Sequence, residues 1–256
     1  EISEPIEPIV FWIENTTPAE YRPAVKAGIE FWQRAFEAAG FRNAIIAKEM
    51  PDTADWDPAD VRFSTVRWFV SPGAGYAVGP SRANPFTGQI YDADVRISAD
   101  FVRGMFTFAE RFLEPLAYGK TDLDDPLRNL GDDQYMHAHF NELCDYGPKS
   151  AELAAEGMAT LMTRSTLGDK SELTQKYVNE YIAELVAHEV GHCLGLRHNF
   201  KASAAYTRAQ QSDKTFVDQN GVVSTVMEYA PPNLVPEGVP QPDFYTTEPG
   251  TYDKWV

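Results

Sequence analysis

Cysteine is scarce in this sequence, and long apolar runs are missing. Among 256 residues there are two cysteines, Cys144 and Cys193, too few for the disulfide framework of a small secreted domain. No apolar run approaches the roughly 18 residues that a membrane-spanning helix needs. Internal repeats and low-complexity tracts are also missing. A hydrophobic content of 43% therefore indicates a globular fold with a full buried core.

Positive charge is the second shortage. Lys and Arg number 22 against 38 Asp and Glu, for a formal net charge of −16. Nucleic acids and anionic membranes are bound through a basic face, so this balance argues against both as partners. It is compatible with cationic peptides or surface calcium, although charge alone supports neither. The sequence begins at Glu1 with neither an initiator Met nor a signal peptide, so we expect a piece of a longer protein.

Histidine is also rare, yet three of the five histidines stand within one run of eleven residues. The run from His188 to His198 has the form HExxHxxGxxH. Positions four apart on a helix lie one above the other, so His188 and His192 present their imidazoles on one face. Gly195 follows where a chain leaving its helix often needs a positive φ, and a turn there returns His198 as third ligand. Three protein ligands with one open position indicate a catalytic zinc site.

Glu189 is the residue of this run that suits acid–base chemistry. It stands about 100° around the helix from His188, so it borders a metal without being forced onto it. We expect it to take a proton from water and deliver it to the leaving amine. A chance HExxH in a long helix is the alternative, and the added Gly195 and His198 weigh against it. Cys193 points away from the ligand face and is expected to be a small buried residue.

A second motif lies downstream, where residues 224–232 read STVMEYAPP. Such a composition is typical of a tight turn that leads into a constrained loop. Together with the histidine run it resembles the metzincin clan of zinc metallopeptidases, whose motif is followed by a Met-turn beneath the metal. The resemblance makes Met227 the structural methionine and Tyr229 a candidate to reach the metal or the transition-state oxyanion. Ordinary core packing of these side chains is the alternative.

A narrower resemblance rests on the phrases AHEVGH and LRHNFKAS, in particular on Asn199. They are similar to the large bacterial Met-zincin metallopeptidases, which are common among Bacteroidetes-type secreted or envelope proteins. The resemblance runs from about Pro8 onward. It implies an α+β, zincin-like (metzincin) fold with a twisted mixed sheet, an active-site helix and a smaller C-terminal subdomain. It also implies an extracytoplasmic location: secreted, periplasmic or at the cell surface.

The resemblance implies one catalytic domain in two parts. Residues 1–195 are the N-terminal zincin subdomain, with the active-site helix at about 171–194. Residues 196–256 are the C-terminal subdomain, with the third ligand and the Met-turn. Apolar residues at helical spacing give the active-site helix a wide buried face; they are Leu173, Tyr177, Val178, Tyr181, Ile182, Leu185 and Val186.

Periodicity predicts the remaining elements. Strands are expected at 8–14, 44–49, 61–70 and 89–98, and helices from about Thr17 to Gly40, at 99–118 and at 150–167. The acidic segment 121–148 is predicted to be a loop. It contains His137 and His139, for which a solvated or hydrogen-bonded pair is favoured over a second metal site. Its paired aspartates fit no full EF-hand loop, so calcium stays unsupported.

Segment 74–98 is the candidate edge of the sheet. In metzincins an edge strand above the metal pairs with an extended substrate through main-chain hydrogen bonds, and alternating side-chain pockets select the sequence. We therefore expect part of this segment to bind a peptide or protein substrate. A hairpin without substrate contact is the alternative.

These observations predict a monomeric zinc-dependent endopeptidase with one catalytic Zn²⁺ ion. Two other functions stay open: a catalytically idle zinc-binding recognition module of a larger envelope protein, and a zinc hydrolase of a non-protein amide. The intact Glu189 argues against the idle module, because such a module needs no general base.

Overall fold

The computed structural model describes residues 2–70, 77–113, 146–164 and 170–256. Within them, one six-stranded sheet lies in the N-terminal part. Its strands are β1 (Ile9–Ile13), β2 (Ile45–Glu49), β3 (Ser64–Phe69), β4 (Ala77–Val78), β5 (Ser81–Ala83) and β6 (Ile90–Ser98). The helices are α1 (Arg22–Ala38), α2 (Asp100–Leu113), α3 (Tyr146–Arg164), α4 (Lys170–Cys193), α5 (Arg208–Gln211), α6 (Lys214–Asn220) and α7 (Thr251–Trp255), with a 3₁₀ turn at Ala202–Ala204. The fold is therefore mixed α/β.

The sheet combines parallel and antiparallel pairing. Strands β2, β1, β3 and β6 are parallel neighbours in that order. Strands β4 and β5 both pair antiparallel with β6, on the side away from β3. The long strand at 90–98 is therefore internal, and the edge position within the predicted segment belongs to residues 77–83. Residues 71–76 lie outside the described ones.

The main core lies between the sheet and helices α1 and α4. Phe11, Val66 and Val95 are buried in it, each one from a different parallel strand. Helix α1 packs closely along α4, because Gly28 has no side chain: a Cβ there would lie 2.5 Å from the Ala183 carbonyl oxygen. The indole Nε1 of Trp32 donates a hydrogen bond to the Ala187 carbonyl, 2.9 Å away. Helix α1 thus holds helix α4 at residues 183–187, directly before the first histidine.

The C-terminal residues contribute to two apolar clusters. Met227 and Phe244 belong to the main core together with helix α4. A smaller separate cluster is made of Ala202, Val217, Val222, Val223 and Ala230. Within the described residues, no helix is both long and apolar enough to cross a membrane.

The predicted elements are largely confirmed, with two corrections at helix starts. Helix α1 begins at Arg22 and not near Thr17, with a proline in its first turn, where its missing N–H costs nothing. The predicted loop 121–148 is wrong at its end, because helix α3 already begins at Tyr146. Residues 147–148 are Gly-Pro, and Pro is tolerated in the first turn of a helix. His137, His139 and Cys144 lie outside the described residues.

Candidate metal centre

The C-terminal end of helix α4 presents the first two candidate ligands. The helix runs from Lys170 to Cys193, as the spacing predicted, and it buries His188 fully and His192 in part. It ends in a reversal at Gly195, whose φ is +96°. The amide of Gly195 donates to the His192 carbonyl at 2.9 Å, and the amide of Leu196 donates to the Gly191 carbonyl at 3.0 Å. This glycine-dependent turn directs the chain back toward the helix.

The reversal brings the third histidine to the first two. One ring nitrogen from each of His188, His192 and His198 lies within 4.8 Å of the others. The Nε2 atoms of His192 and His198 are 3.0 Å apart. Two nitrogens bound to a common tetrahedral zinc ion at 2.0–2.1 Å lie roughly 3.3 Å apart. The described residues therefore bring together a three-histidine group that could hold a zinc ion.

Backbone carbonyls determine which nitrogen of the first two histidines faces the site. His188 Nδ1 lies 2.8 Å from the Val226 carbonyl oxygen, and His192 Nδ1 lies 2.9 Å from the Leu196 carbonyl oxygen. Because a carbonyl can only accept, each Nδ1 must carry the proton. The lone pair of Nε2 then faces the site, which is the arrangement that hydrogen-bond partners of ligating histidines commonly impose.

Burial also favours the protonation state that a metal requires. It lowers the pKa of His188 well below its ordinary value, and the neighbouring His192 lowers it further. Burial likewise lowers the pKa of His192. Only the neutral imidazole is a ligand, so these shifts reduce proton competition with the metal.

Glu189 is fully buried beside the ligands, and the edge of the sheet lies directly against it. A Cβ on Gly79 would lie 2.1 Å from the Glu189 carbonyl oxygen, so only glycine permits this approach. The thiol of Cys193 donates to the Pro80 carbonyl at 3.7 Å and is buried, as predicted. Residues 79 and 80, which join β4 to β5, thus rest on the helix at the candidate base. Both residues belong to the predicted edge segment 74–98, but their contact with the helix was not predicted.

Met227 lies beneath the helix, fully buried against Gly191. A Cβ on Gly191 would lie 2.5 Å from Met227 Sδ and 2.8 Å from Trp32 Cζ2. The Met227 carbonyl accepts a hydrogen bond from the Asn199 amide at 3.0 Å. The loop at Met227 is therefore joined both to the helix and to the segment that carries His198.

Tyr229 lies beside the third histidine. Its hydroxyl is 3.2 Å from His198 Nε2, and the two rings meet edge to face with centroids 4.8 Å apart. Phe200 packs against the same tyrosine, at a centroid distance of 5.0 Å, while 59% of Phe200 stays exposed. Lys149 Nζ lies 5.5 Å from the Tyr229 ring centroid. Tyr229 is thus close enough to the ligands to take part in chemistry there.

Tyr146 and Glu184 support the site, and neither was predicted from the sequence. The Tyr146 ring stacks on His188 with centroids 4.0 Å apart, and its hydroxyl donates to Glu184 Oε2 at 2.9 Å. Glu184 stands one helical turn before His188 and also accepts from the Thr246 amide at 3.1 Å. Burial raises the pKa of Glu184 to about 7. The i−4 position of Glu184 was a usable signal; Tyr146 stood in a predicted loop and offered none.

The comparisons with known proteins agree with the geometry. Residues 170–256 match the model of a family described as Met-zincin. The matched range contains the three histidines, Glu189, Met227 and Tyr229. No curated protein and no solved structure matches the chain. The resemblance predicted from the sequence is confirmed for this range.

Proposed function

Starting from the Met-zincin family domain in residues 170–256, we propose that this chain is a zinc-dependent endopeptidase. The observation that carries the proposal is the convergence of His188, His192 and His198, with the fully buried Glu189 directly after His188 in the helix. These histidines would hold the ion. When bound, zinc lowers the pKa of a coordinated water and polarises the carbonyl to be cleaved.

Glu189 serves as the general base and acid. It accepts the proton of the attacking water and delivers it to the leaving amine. Its position next to His188 on a rigid helix keeps it beside the ion without making it a ligand. Gly79 packs closely on the Glu189 backbone and covers that side of the helix.

Tyr229 has the second catalytic role. Its hydroxyl, already near His198, is a donor for the negative charge that develops on the carbonyl oxygen. Met227 is structural in this scheme: it is the methionine of a Met-turn that supports the helix from below. In this proposal the catalytic domain is divided at Gly195 into a zincin subdomain and a smaller C-terminal subdomain.

The substrate is a peptide or protein segment bound in an extended form. Residues 77–83 support this proposal, because they form the outer side of the sheet and also contact the helix at Glu189. An extended peptide adds to such an edge through main-chain hydrogen bonds. A monomeric enzyme in an extracytoplasmic location is part of the proposal and rests on the family resemblance.

A peptide library incubated with the zinc-loaded chain, with and without a chelator, tests this function. We expect cleavage that the chelator abolishes and added zinc restores. Bound zinc without any cleavage would favour the idle recognition module or a hydrolase of a non-protein amide. Cleavage that persists in the metal-free chain would contradict the proposal.

A further inference from the structure

Asp253 is a buried carboxylate far from the histidines in sequence. It lies on the C-terminal helix α7 and is 3% exposed. Its oxygens accept hydrogen bonds from the Thr225 hydroxyl, from the Val226 amide at 3.1 Å and from the Gly250 amide at 3.0 Å. A buried carboxylate is costly unless several donors surround it, and three donors converge here. Two of them belong to the loop that precedes Met227.

The same loop holds the first candidate ligand. The Val226 carbonyl accepts from His188 Nδ1 at 2.8 Å, and the amide on the other side of that peptide group, that of Met227, donates to Thr225 Oγ1 at 3.0 Å. Thr225 in turn donates to Asp253. One peptide group and one hydroxyl therefore connect the imidazole to the carboxylate.

The chemistry of the groups determines the direction of every hydrogen bond between His188 and Asp253. A carbonyl only accepts and an amide only donates, so His188 must donate to Val226, and Thr225 must accept from Met227. The threonine has one hydroxyl proton, which goes to Asp253. Donors and acceptors therefore point the same way along the whole chain, so each bond polarises the next one.

We propose that Asp253 and Thr225 are positioning residues of the metal centre, which hold His188 in its ligand tautomer through the peptide group between Val226 and Met227. A carboxylate that hydrogen-bonds a ligating histidine directly has the same effect on ring orientation and ligand basicity. Here the Asp253 carboxylate acts on His188 through the Thr225 hydroxyl and the peptide group between Val226 and Met227. Burial raises the pKa of Asp253 to about 6, so the group is mainly ionised above neutral pH and able to accept all three bonds.

Helix α7 holds this loop by further contacts. The Tyr252 amide donates to the Ser224 carbonyl at 2.9 Å, and a Cβ on Gly250 would lie 2.2 Å from that same oxygen. Helix α7 is therefore packed directly on residues 224–226. In this proposal helix α7 supports the metal centre in addition to its packing in the fold.

The test compares zinc affinities of Thr225 variants of the whole chain, measured by competition with a chromophoric chelator. Thr225→Val removes the hydroxyl link at nearly constant shape, and we expect zinc binding about 10-fold weaker than in the wild type. Thr225→Ser keeps the hydroxyl and should restore the affinity to within about twofold. Asp253→Asn keeps the shape but removes the charge, and its affinity should lie between these two.

Thr247→Val is the matched control. It breaks another threonine-to-aspartate hydrogen bond in the C-terminal region, from Thr247 Oγ1 to Asp243 Oδ2 at 2.6 Å, which is not joined to a candidate ligand. We expect unchanged zinc affinity in this variant. Equal affinities in Thr225→Val and the wild type, or equal losses in Thr225→Val and Thr247→Val, would overturn the proposal. The proposal rests on zinc binding by the three histidines; a wild-type chain that binds no zinc would instead refute the proposed function.

Discussion

Helix α4 buries two pairs of ionisable side chains of opposite kinds. The histidine pair is His188 and His192, whose pKa values burial lowers. The glutamate pair, which comes before it, is Glu180 and Glu184, whose pKa values burial raises to about 7. In both pairs the neutral form of the side chain is favoured, because desolvation penalises charge of either sign.

The backbone groups that face the two pairs are of complementary kinds. Glu180 Oε2 accepts from the Phe244 amide at 2.7 Å, and Glu184 accepts from the Thr246 amide at 3.1 Å. The two histidines instead meet carbonyl oxygens. Amide donors therefore hold the glutamate pair and carbonyl acceptors hold the histidine pair. One helix is joined to the C-terminal residues by both kinds of contact, and only the second kind fixes a tautomer whose Nε2 can bind a metal.

The largest expected effect comes from breaking the histidine pair. His192→Ala removes one of the three proposed ligands, so we expect zinc affinity to fall by more than the roughly 100-fold that is reached by substituting residues hydrogen-bonded to a ligand. Glu184→Gln, in the glutamate pair of the same helix, should keep one zinc per chain. Chelator competition measures both. Equal zinc affinity in His192→Ala and the wild type would show that the ion does not bind at the three histidines.

The glutamate pair predicts how the stability of the fold depends on pH. A carboxyl group with a higher pKa in the folded than in the unfolded chain binds more protons when folded, so its stabilising effect is greatest at low pH. For Glu184 this contribution is complete below the ordinary value of 4.5 and is lost as pH rises through about 7. The histidines act in the opposite direction, because lowered pKa values weaken the fold as pH falls through 6.5.

Urea unfolding of the metal-free chain separates the two contributions. The free energy of unfolding of the wild type minus that of Glu184→Gln should decrease between pH 5 and pH 8 by on the order of 2 kcal/mol. Subtracting the variant cancels the histidine contribution, which both chains share. A difference that grows with pH would contradict the raised pKa of Glu184.

The smallest predicted effect concerns Tyr146, which connects the histidine pair to the glutamate pair. Tyr146 stacks on His188 and donates to Glu184, so it touches one group of each kind. Tyr146→Phe keeps the stacked ring and removes the donor, and we expect a loss of about 1 kcal/mol in unfolding free energy. Tyr146→Leu also removes the ring and should lose roughly 1 kcal/mol more. Equal stabilities of the Phe variant and the wild type would indicate that the hydroxyl contact is not made.

The parts of the site that follow from local geometry were predictable from the sequence. The i and i+4 histidines, the turn at Gly195 and the return of His198 need only helix spacing and one positive φ. The segment containing the sheet edge was predicted too, although its longest strand, β6, is internal. Its edge strands are short, and edge position depends on pairing between strands, which spacing within one segment does not show.

The supporting contacts were not predictable, because they join distant parts of the chain. Tyr146 and Glu184 are 38 residues apart, and Thr225 and Asp253 are 28 apart. Helix α4 also has a polar stripe beside its apolar face, in which Glu180, Glu184 and His188 follow at intervals of four. Such a stripe on a buried helix is a signal that the sequence does contain.

Glu189→Gln tests whether Glu189 performs proton transfer beside a zinc ion that the three histidines bind. Zinc content and peptide hydrolysis are measured on the same samples of the variant and the wild type. We expect one zinc per chain in both, and a kcat lowered by about 100-fold or more in the variant. Wild-type turnover in the zinc-loaded variant would contradict the mechanism.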